Sequence, residues 1–80
     1  SKLANRTVDG VTRNARGQLV TRDGTVITDP NVHLNDKGLL VTNNGTILSG
    51  RGLTVGRDGK IRTRDGRLVD TASLVAGKNG

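Results

Sequence analysis

Aliphatic and polar residues recur along this chain in units of seven. Glycine opens most units, at positions 10, 17, 24, 38, 45, 52, 59 and 66, and Asn31 fills the one open position. The third and fourth positions of a unit are usually aliphatic, the fifth is often Thr or Ser, and Asp or Asn commonly precedes the next glycine. Each unit therefore predicts a strand of about five residues, followed by a tight corner of about two.

The glycines are predicted to form the corners between strands. A corner requires a backbone conformation with positive φ, which glycine adopts without steric cost and Asn adopts more readily than other residues. The six corner glycines that we expect are Gly24, Gly38, Gly45, Gly52, Gly59 and Gly66.

The aliphatic pair in each unit predicts a sheet with two apolar faces, because successive residues of a strand point to opposite sides. One face of the sheet can line an interior, and the other needs a partner. The first predicted face comprises Val20, Ile27, Val41, Leu48, Val55 and Val69, and the second comprises Leu19, Val26, Leu40, Ile47, Ile61 and Leu68.

Two all-β architectures use such a unit, an antiparallel meander and a solenoid in which two units form one 14-residue coil. Two-residue hairpins in a meander would set Arg57 opposite Lys60 and Arg64 opposite Arg67, and like charges in facing positions are destabilising. Stacking at a period of 14 separates these cations and aligns glycine with glycine. The sequence therefore favours the 14-residue-coil β-solenoid over the antiparallel β-meander.

The composition points to one small domain that depends on partners. The 80 residues include no aromatic residue, Met or Cys, so the core must consist of Val, Leu and Ile. A core of this size stabilises a lone chain only marginally, and association with copies is a common remedy. All seven acidic residues are Asp, which favours turns over helices. We predict an irregular lead-in or pairing arm over residues 1–9 and a single β-repeat domain over residues 10–80.

The sequence offers few groups for catalysis or for metal binding. His33 is the only histidine and falls among aliphatic residues in the 14-residue alignment. The three serines lack a credible His and Asp for a catalytic triad. Asp58 and Asp65 both stand in Arg-Asp-Gly corners, where turn formation explains them. We therefore predict no catalytic residue, no cofactor and no metal site, and a protein that is not an enzyme. No apolar run approaches the length of a membrane span.

The basic residues are concentrated near the end of the chain. The 13 Lys and Arg side chains face 7 Asp and give a net charge of +6. Acidic cell surfaces and polysaccharides are attracted to such a patch, whereas the absence of aromatic residues for base stacking argues against nucleic acid. The candidate polyanion contacts are Arg57, Lys60, Arg62, Arg64 and Arg67.

The units resemble several short-repeat β-fibre families. The stacked strand-and-corner plan is similar to that of curli-like functional-amyloid subunits, and the stretch from Gly52 to Ile61 resembles a viral fibre-shaft repeat. Both resemblances imply a homopolymer outside the cell or on its surface, with a role such as cell adhesion. We therefore expect a structural protein, the self-assembling subunit of an extracellular filament or fibre shaft.

Two alternatives to a filament subunit stay open. One is a basic β-module that binds polyanions or nucleic acid. The other is an ice-binding β-solenoid, because the heptads are similar to those of grass ice-binding proteins. Its ice-binding face would use Thr21, Thr28, Thr42, Ser49 and Thr63.

Overall fold

The structure is a computed structural model that describes residues 4–73. Residues 1–3 of the predicted lead-in and residues 74–80 of the predicted repeat domain lie outside the described residues. No α-helix occurs between residues 4 and 73, and this part of the chain is all-β apart from two short 3-10 helices. The 3-10 helices span Ala4–Arg6 and Val8–Gly10, and the strands are β1 (Thr12–Arg13), β2 (Leu19–Val20), β3 (Val32–Leu34), β4 (Leu40–Thr42), β5 (Thr54–Val55) and β6 (Ile61–Arg62).

The strands pair in the order of the sequence as three antiparallel hairpins, β1 with β2, β3 with β4 and β5 with β6. A further segment continues each hairpin through an isolated antiparallel bridge. The three bridges are Val20–Val26, Val41–Ile47 and Arg62–Leu68. Each hairpin with its following segment therefore forms a small three-stranded meander.

The three meanders repeat at intervals of 21 residues. The backbone N–H groups of Ile27, Leu48 and Val69 donate to the carbonyl oxygens of Leu19, Leu40 and Ile61 at 2.8 to 2.9 Å. Donors and acceptors both advance by 21 residues from one bond to the next. The structural repeat is therefore three heptads rather than two. We call residues 10–30 unit 1, residues 31–51 unit 2 and residues 52–72 unit 3.

The 14-residue-coil solenoid is not shown by this structure. Every strand pair between residues 4 and 73 is antiparallel, whereas stacked coils require parallel pairs. The sequence argument against hairpins assumed two-residue corners. In the structure, Gly56 N–H donates to the Lys60 carbonyl oxygen at 2.9 Å, and Gly59 N–H donates to the Gly56 carbonyl oxygen at 2.8 Å. Arg57 thus lies inside the loop rather than opposite Lys60, and the expected repulsion between facing cations does not arise.

The hydrophobic core takes residues from both predicted faces. A seven-residue unit has an odd length, so antiparallel pairing sets the fourth position of one unit beside the third position of the next, as in Val20 and Val26. The core cluster consists of Val8, Val11, Ile27, Val32, Leu40, Leu48, Val55 and Ile61, with Leu19, Leu34, Leu53 and Val69 packed against it.

The twelve predicted face residues therefore divide differently from the prediction. Seven belong to the core or pack against it: Leu19, Ile27, Leu40, Leu48, Val55, Ile61 and Val69. The other five form what we call the outer set: Val20, Val26, Val41, Ile47 and Leu68. Within the outer set Ile47 is 43% exposed and Leu68 is 57% exposed.

The residues before unit 1 pack across units 2 and 3. Val8 is 1% exposed, and its N–H donates to the Leu53 carbonyl oxygen at 3.1 Å. Thr7 forms an antiparallel bridge with Thr54, and an Asp9 carboxylate oxygen accepts from Gly50 N–H at 2.7 Å. The segment therefore joins the start of unit 3 to the end of unit 2.

Candidate functional site

Six corners of the units share one construction. In the corner from Thr63 to Arg67, Thr63 N–H donates to the Arg67 carbonyl oxygen at 2.8 Å, and Gly66 N–H donates to the Thr63 carbonyl oxygen at 3.0 Å. A turn followed by a glycine of positive φ is the usual three-residue hairpin loop. The same two hydrogen bonds close the corners that begin at Asn14, Thr21, Asn35, Thr42 and Gly56.

The structure places five of the six predicted corner glycines at the last position of these loops. Gly24, Gly38, Gly45, Gly59 and Gly66 have φ between 79° and 98°. Gly52 has a φ of 75° but lies in the connection between units 2 and 3. Gly17, which is not in the predicted set, closes the first corner of unit 1 with a φ of 79°.

Side chains reinforce the second corner of each unit. The hydroxyl groups of Thr21, Thr42 and Thr63 donate to a side-chain oxygen of Asp23, Asn44 and Asp65 respectively. The same hydroxyls accept from the backbone N–H groups of Thr25, Thr46 and Arg67 at 3.0 to 3.2 Å. These polar side chains therefore build the fold.

The threonines proposed for an ice-binding face do not share one exposure. Thr21 and Thr42 are buried, at 3% and 1% exposure, and their hydroxyls serve the corners. Thr28 is exposed, and Ser49 and Thr63 are half-buried. The five hydroxyl groups thus do not form one exposed row.

The five candidate cations fall into two groups. Arg62 is held in the fold: its guanidinium donates to the Asp58 carboxylate at 2.9 Å and to the Gly66 carbonyl oxygen at 3.1 Å. A Cβ atom at Gly56 would lie 2.9 Å from the Arg62 Nε, so glycine leaves room for this guanidinium. The other four cations have exposed side chains, and we call them the basic surface: Arg57, Lys60, Arg64 and Arg67.

Arg62 brings the two corners of unit 3 together. Asp58 belongs to the corner that carries Arg57 and Lys60, and Gly66 belongs to the corner that carries Arg64 and Arg67. Because one guanidinium contacts both corners, the four cations lie around a single fixed point. The hydrogen bond from Arg62, followed by that from Lys60 N–H, lowers the pKa of Asp58 below its usual value. Asp58 is therefore ionised at neutral pH, and its charge is offset by Arg62.

Two clefts adjoin the basic surface. One, of about 420 Å³, contains Lys60, Leu68 and Asp29, and its wall includes a 2.6 Å hydrogen bond from the Thr71 hydroxyl to Asp29. The other, of about 300 Å³, is lined by Asn5, Arg6, Asp23, Thr25 and Arg57.

The carboxylate of the smaller cleft is strongly engaged. The Thr21 hydroxyl donates to Asp23, as do Thr25 N–H and the Thr25 hydroxyl, and Arg6 Nε lies 3.8 Å from the other carboxylate oxygen. These contacts, led by the Thr21 hydroxyl, lower the pKa of Asp23. Arg57 adds a second guanidinium to the same cleft.

The remaining candidates for chemistry lie at the surface or apart from one another. His33 is exposed on β3, and its Nδ1 lies 2.8 Å from the Asn43 side-chain oxygen. Within residues 4–73, no three His or Asp side chains come together in a group that could hold a metal ion. No helix in the same range has the length and apolarity needed to cross a membrane.

Comparisons of the chain with protein-family models, with curated protein sequences and with solved structures gave no match. The resemblances to curli-like subunits and to viral fibre shafts therefore stay predictions. Functional reasoning about this chain rests on its own geometry.

Proposed function

We propose that this chain is a structural subunit that assembles with copies of itself into a β-rich filament or fibre shaft outside the cell. The main support is the way in which units of one construction pack on each other. Thr28 N–H, at the end of unit 1, donates to the Gly59 carbonyl oxygen in unit 3 at 2.9 Å. The Thr28 hydroxyl also donates to the Asp58 carbonyl oxygen at 2.9 Å.

These contacts join a strand end of one unit to a corner of another. Every copy of the chain carries three such strand ends and six such corners. A second copy therefore offers groups that match the open strand ends of the first. Repeat proteins gain their stability from such contacts between neighbouring units.

The outer set gives a second support for assembly. Ile47 and Leu68 occupy the position that Val26 holds in unit 1, where the side chain is half-buried. Each buried Å² of apolar surface contributes about 25 cal/mol, so covering Ile47 and Leu68 with a second copy favours association. The strands of a single chain have only two or three residues each, and such short sheets depend on packing partners.

The proposal uses the antiparallel units as its building block and keeps the 14-residue-coil solenoid as the finer alternative for the assembled state. Infrared spectroscopy separates the two, because antiparallel sheets show a high-frequency amide I component that parallel sheets lack. The ice-binding alternative is not extended here, since Thr21 and Thr42 are buried.

The experiment replaces an exposed outer residue with a charge. We expect the unmodified chain to form filaments in negative-stain electron microscopy, and Leu68→Lys and Ile47→Lys to form none, because a charge cannot be buried at the contact without a partner. Ala15→Lys is the matched control: it adds the same charge at an exposed corner position of unit 1. It should assemble like the unmodified chain, and circular dichroism should be the same for all four proteins. Filaments of normal length from both outer variants, or none from the unmodified chain, would overturn the proposal.

A further inference from the structure

We propose that the basic surface of unit 3, together with Arg6, binds an acidic polysaccharide through its sulfate or carboxylate groups. This binding site is separate from the contacts between copies, and it does not depend on assembly. The argument begins with the difference between unit 3 and its two sister units.

Unit 3 carries positive charge at positions where the other units do not. The 21-residue register aligns each residue of unit 3 with one residue in unit 1 and one in unit 2. Arg64 alone has a basic counterpart, Arg22. The other alignments are Arg57 with Ala15 and Asp36, Lys60 with Gln18 and Leu39, Arg62 with Val20 and Val41, and Arg67 with Thr25 and Thr46.

The fold therefore does not require these cations. Units 1 and 2 build the same hydrogen-bonded corners with neutral or acidic residues at the corresponding positions. At the Thr25 and Thr46 positions the side chain takes part in the corner by bonding to Asp23 or Asn44. Arg67 instead exposes 84% of its side chain, and its Nε is 4.0 Å from the nearest Asp65 oxygen. Fold stability does not account for four cations at two adjacent corners.

Arg62 prepares the surface for an anion. It fixes the distance between the two corners through its bonds to Asp58 and Gly66, and it offsets the Asp58 charge that would otherwise repel an anionic ligand. Arg57, Lys60, Arg64 and Arg67 are left to contact the ligand. Arginine is well suited to sulfate and carboxylate groups, since its guanidinium can donate two parallel hydrogen bonds.

The smaller cleft extends the basic surface toward the first residues of the described chain. Arg6 and Arg57 line it together, and the Arg6 side chain is 18% exposed. The Asp23 carboxylate in this cleft already accepts from Thr21 and Thr25 and lies near Arg6. Its charge is thus compensated, and an anionic group of a ligand can approach Arg57 there.

The chemistry favours a polysaccharide over a nucleic acid. Proteins that hold single strands stack the bases on aromatic side chains, and this chain has none. Duplex readout requires a helix or ribbon that enters a groove, whereas the basic surface lies on two short corners. Exposed arginines at loop ends suit repeated anionic groups along a flexible polymer, with affinity that falls as salt rises.

The experiment uses heparin as the probe and isothermal titration calorimetry as the measurement, at a protein concentration below that at which light scattering detects assembly. We expect the variant with Arg57, Lys60, Arg64 and Arg67 all changed to Gln to bind heparin at least tenfold more weakly. The matched control changes four other exposed cations to Gln: Arg16, Arg22, Lys37 and Arg51. It lowers the net charge equally and should lose less than threefold.

Equal losses in the two variants would show attraction by net charge alone and would overturn the assigned surface. Mixed-sequence duplex or single-stranded DNA bound as tightly as heparin at the same salt would assign the surface to nucleic acid instead. Neutral dextran should show no binding heat. Since none of these readouts requires filaments, failure of assembly leaves this test intact.

Discussion

The backbone N–H of Thr28 donates to the carbonyl oxygen of Gly59 at 2.9 Å and joins unit 1 to unit 3. Gly59 is buried, and a Cβ atom at this position would lie 2.6 Å from the Val26 carbonyl oxygen and 2.7 Å from the Thr28 side chain. Glycine is therefore required here both by positive φ and by close approach of a second unit.

The first prediction compares Gly59→Ala with Gly38→Ala. The two glycines have nearly the same φ, 82° and 79°, but a Cβ at Gly38 would meet no atom within 4 Å. We expect Gly38→Ala to lower the free energy of unfolding by about 1–2 kcal/mol, the cost of a left-handed alanine. Gly59→Ala should lower it by about 1–3 kcal/mol more, because the added methyl group forces the units apart. Urea denaturation measures both values, and equal losses would show that Gly59 does not lie at a seam between units.

The sequence predicts the corners well because turn chemistry is local. Asn or Thr stands three residues before glycine in five of the six corners, as in Thr63 and Gly66, and these residues close the loop whatever the rest of the fold does. The same spacing is a signal for three-residue hairpin loops, and it would have favoured the meander. The 14-residue alignment instead matched residues that the structure separates, such as Ile27 and Val41.

The composition of the core could be read from the sequence only at the 21-residue period. Val11, Val32 and Leu53 are related by that spacing and all belong to the core or pack on it. Val8 could not be predicted, because its burial depends on a long-range contact with Leu53. The pairing of Arg62 with both corners likewise depends on the folded position of Gly66.

The second prediction concerns the buried corner threonine of unit 2. Thr42 is 1% exposed, and its hydroxyl donates to Asn44 and accepts from Thr46 N–H at 3.0 Å. Thr42→Val keeps the shape but leaves the buried partners unsatisfied, and we expect a loss of about 1–3 kcal/mol. The equivalent change Thr63→Val should cost about 0.5–1.5 kcal/mol, because water reaches its exposed partners. Thermal or urea unfolding gives the ranking, and the reverse order would contradict the structure of these corners.

The third prediction concerns acid. The hydrogen bond from Arg62 holds the pKa of Asp58 below its ordinary value in the folded chain. A carboxyl group with a lower pKa in the folded state stabilises the fold above its unfolded pKa of about 4. This contribution is lost as the pH falls through the folded pKa, because protons then bind preferentially to the unfolded chain.

We therefore expect the free energy of unfolding to decrease between about pH 5 and pH 2, and to decrease less steeply in Asp58→Asn. Asp36→Asn is the charge-matched control at an exposed corner of unit 2 and should follow the unmodified chain. Urea titrations at several pH values give these slopes. Identical slopes in Asp58→Asn and in the unmodified chain would show that the bond to Arg62 does not contribute to stability.

The most direct test of the account is sedimentation velocity of the unmodified chain over a wide range of concentration. A single chain has a mass of 8.4 kDa. The account predicts species that grow far beyond this mass as the concentration rises, with a β-sheet spectrum throughout. A folded species that stays at 8.4 kDa up to the highest concentration would contradict it.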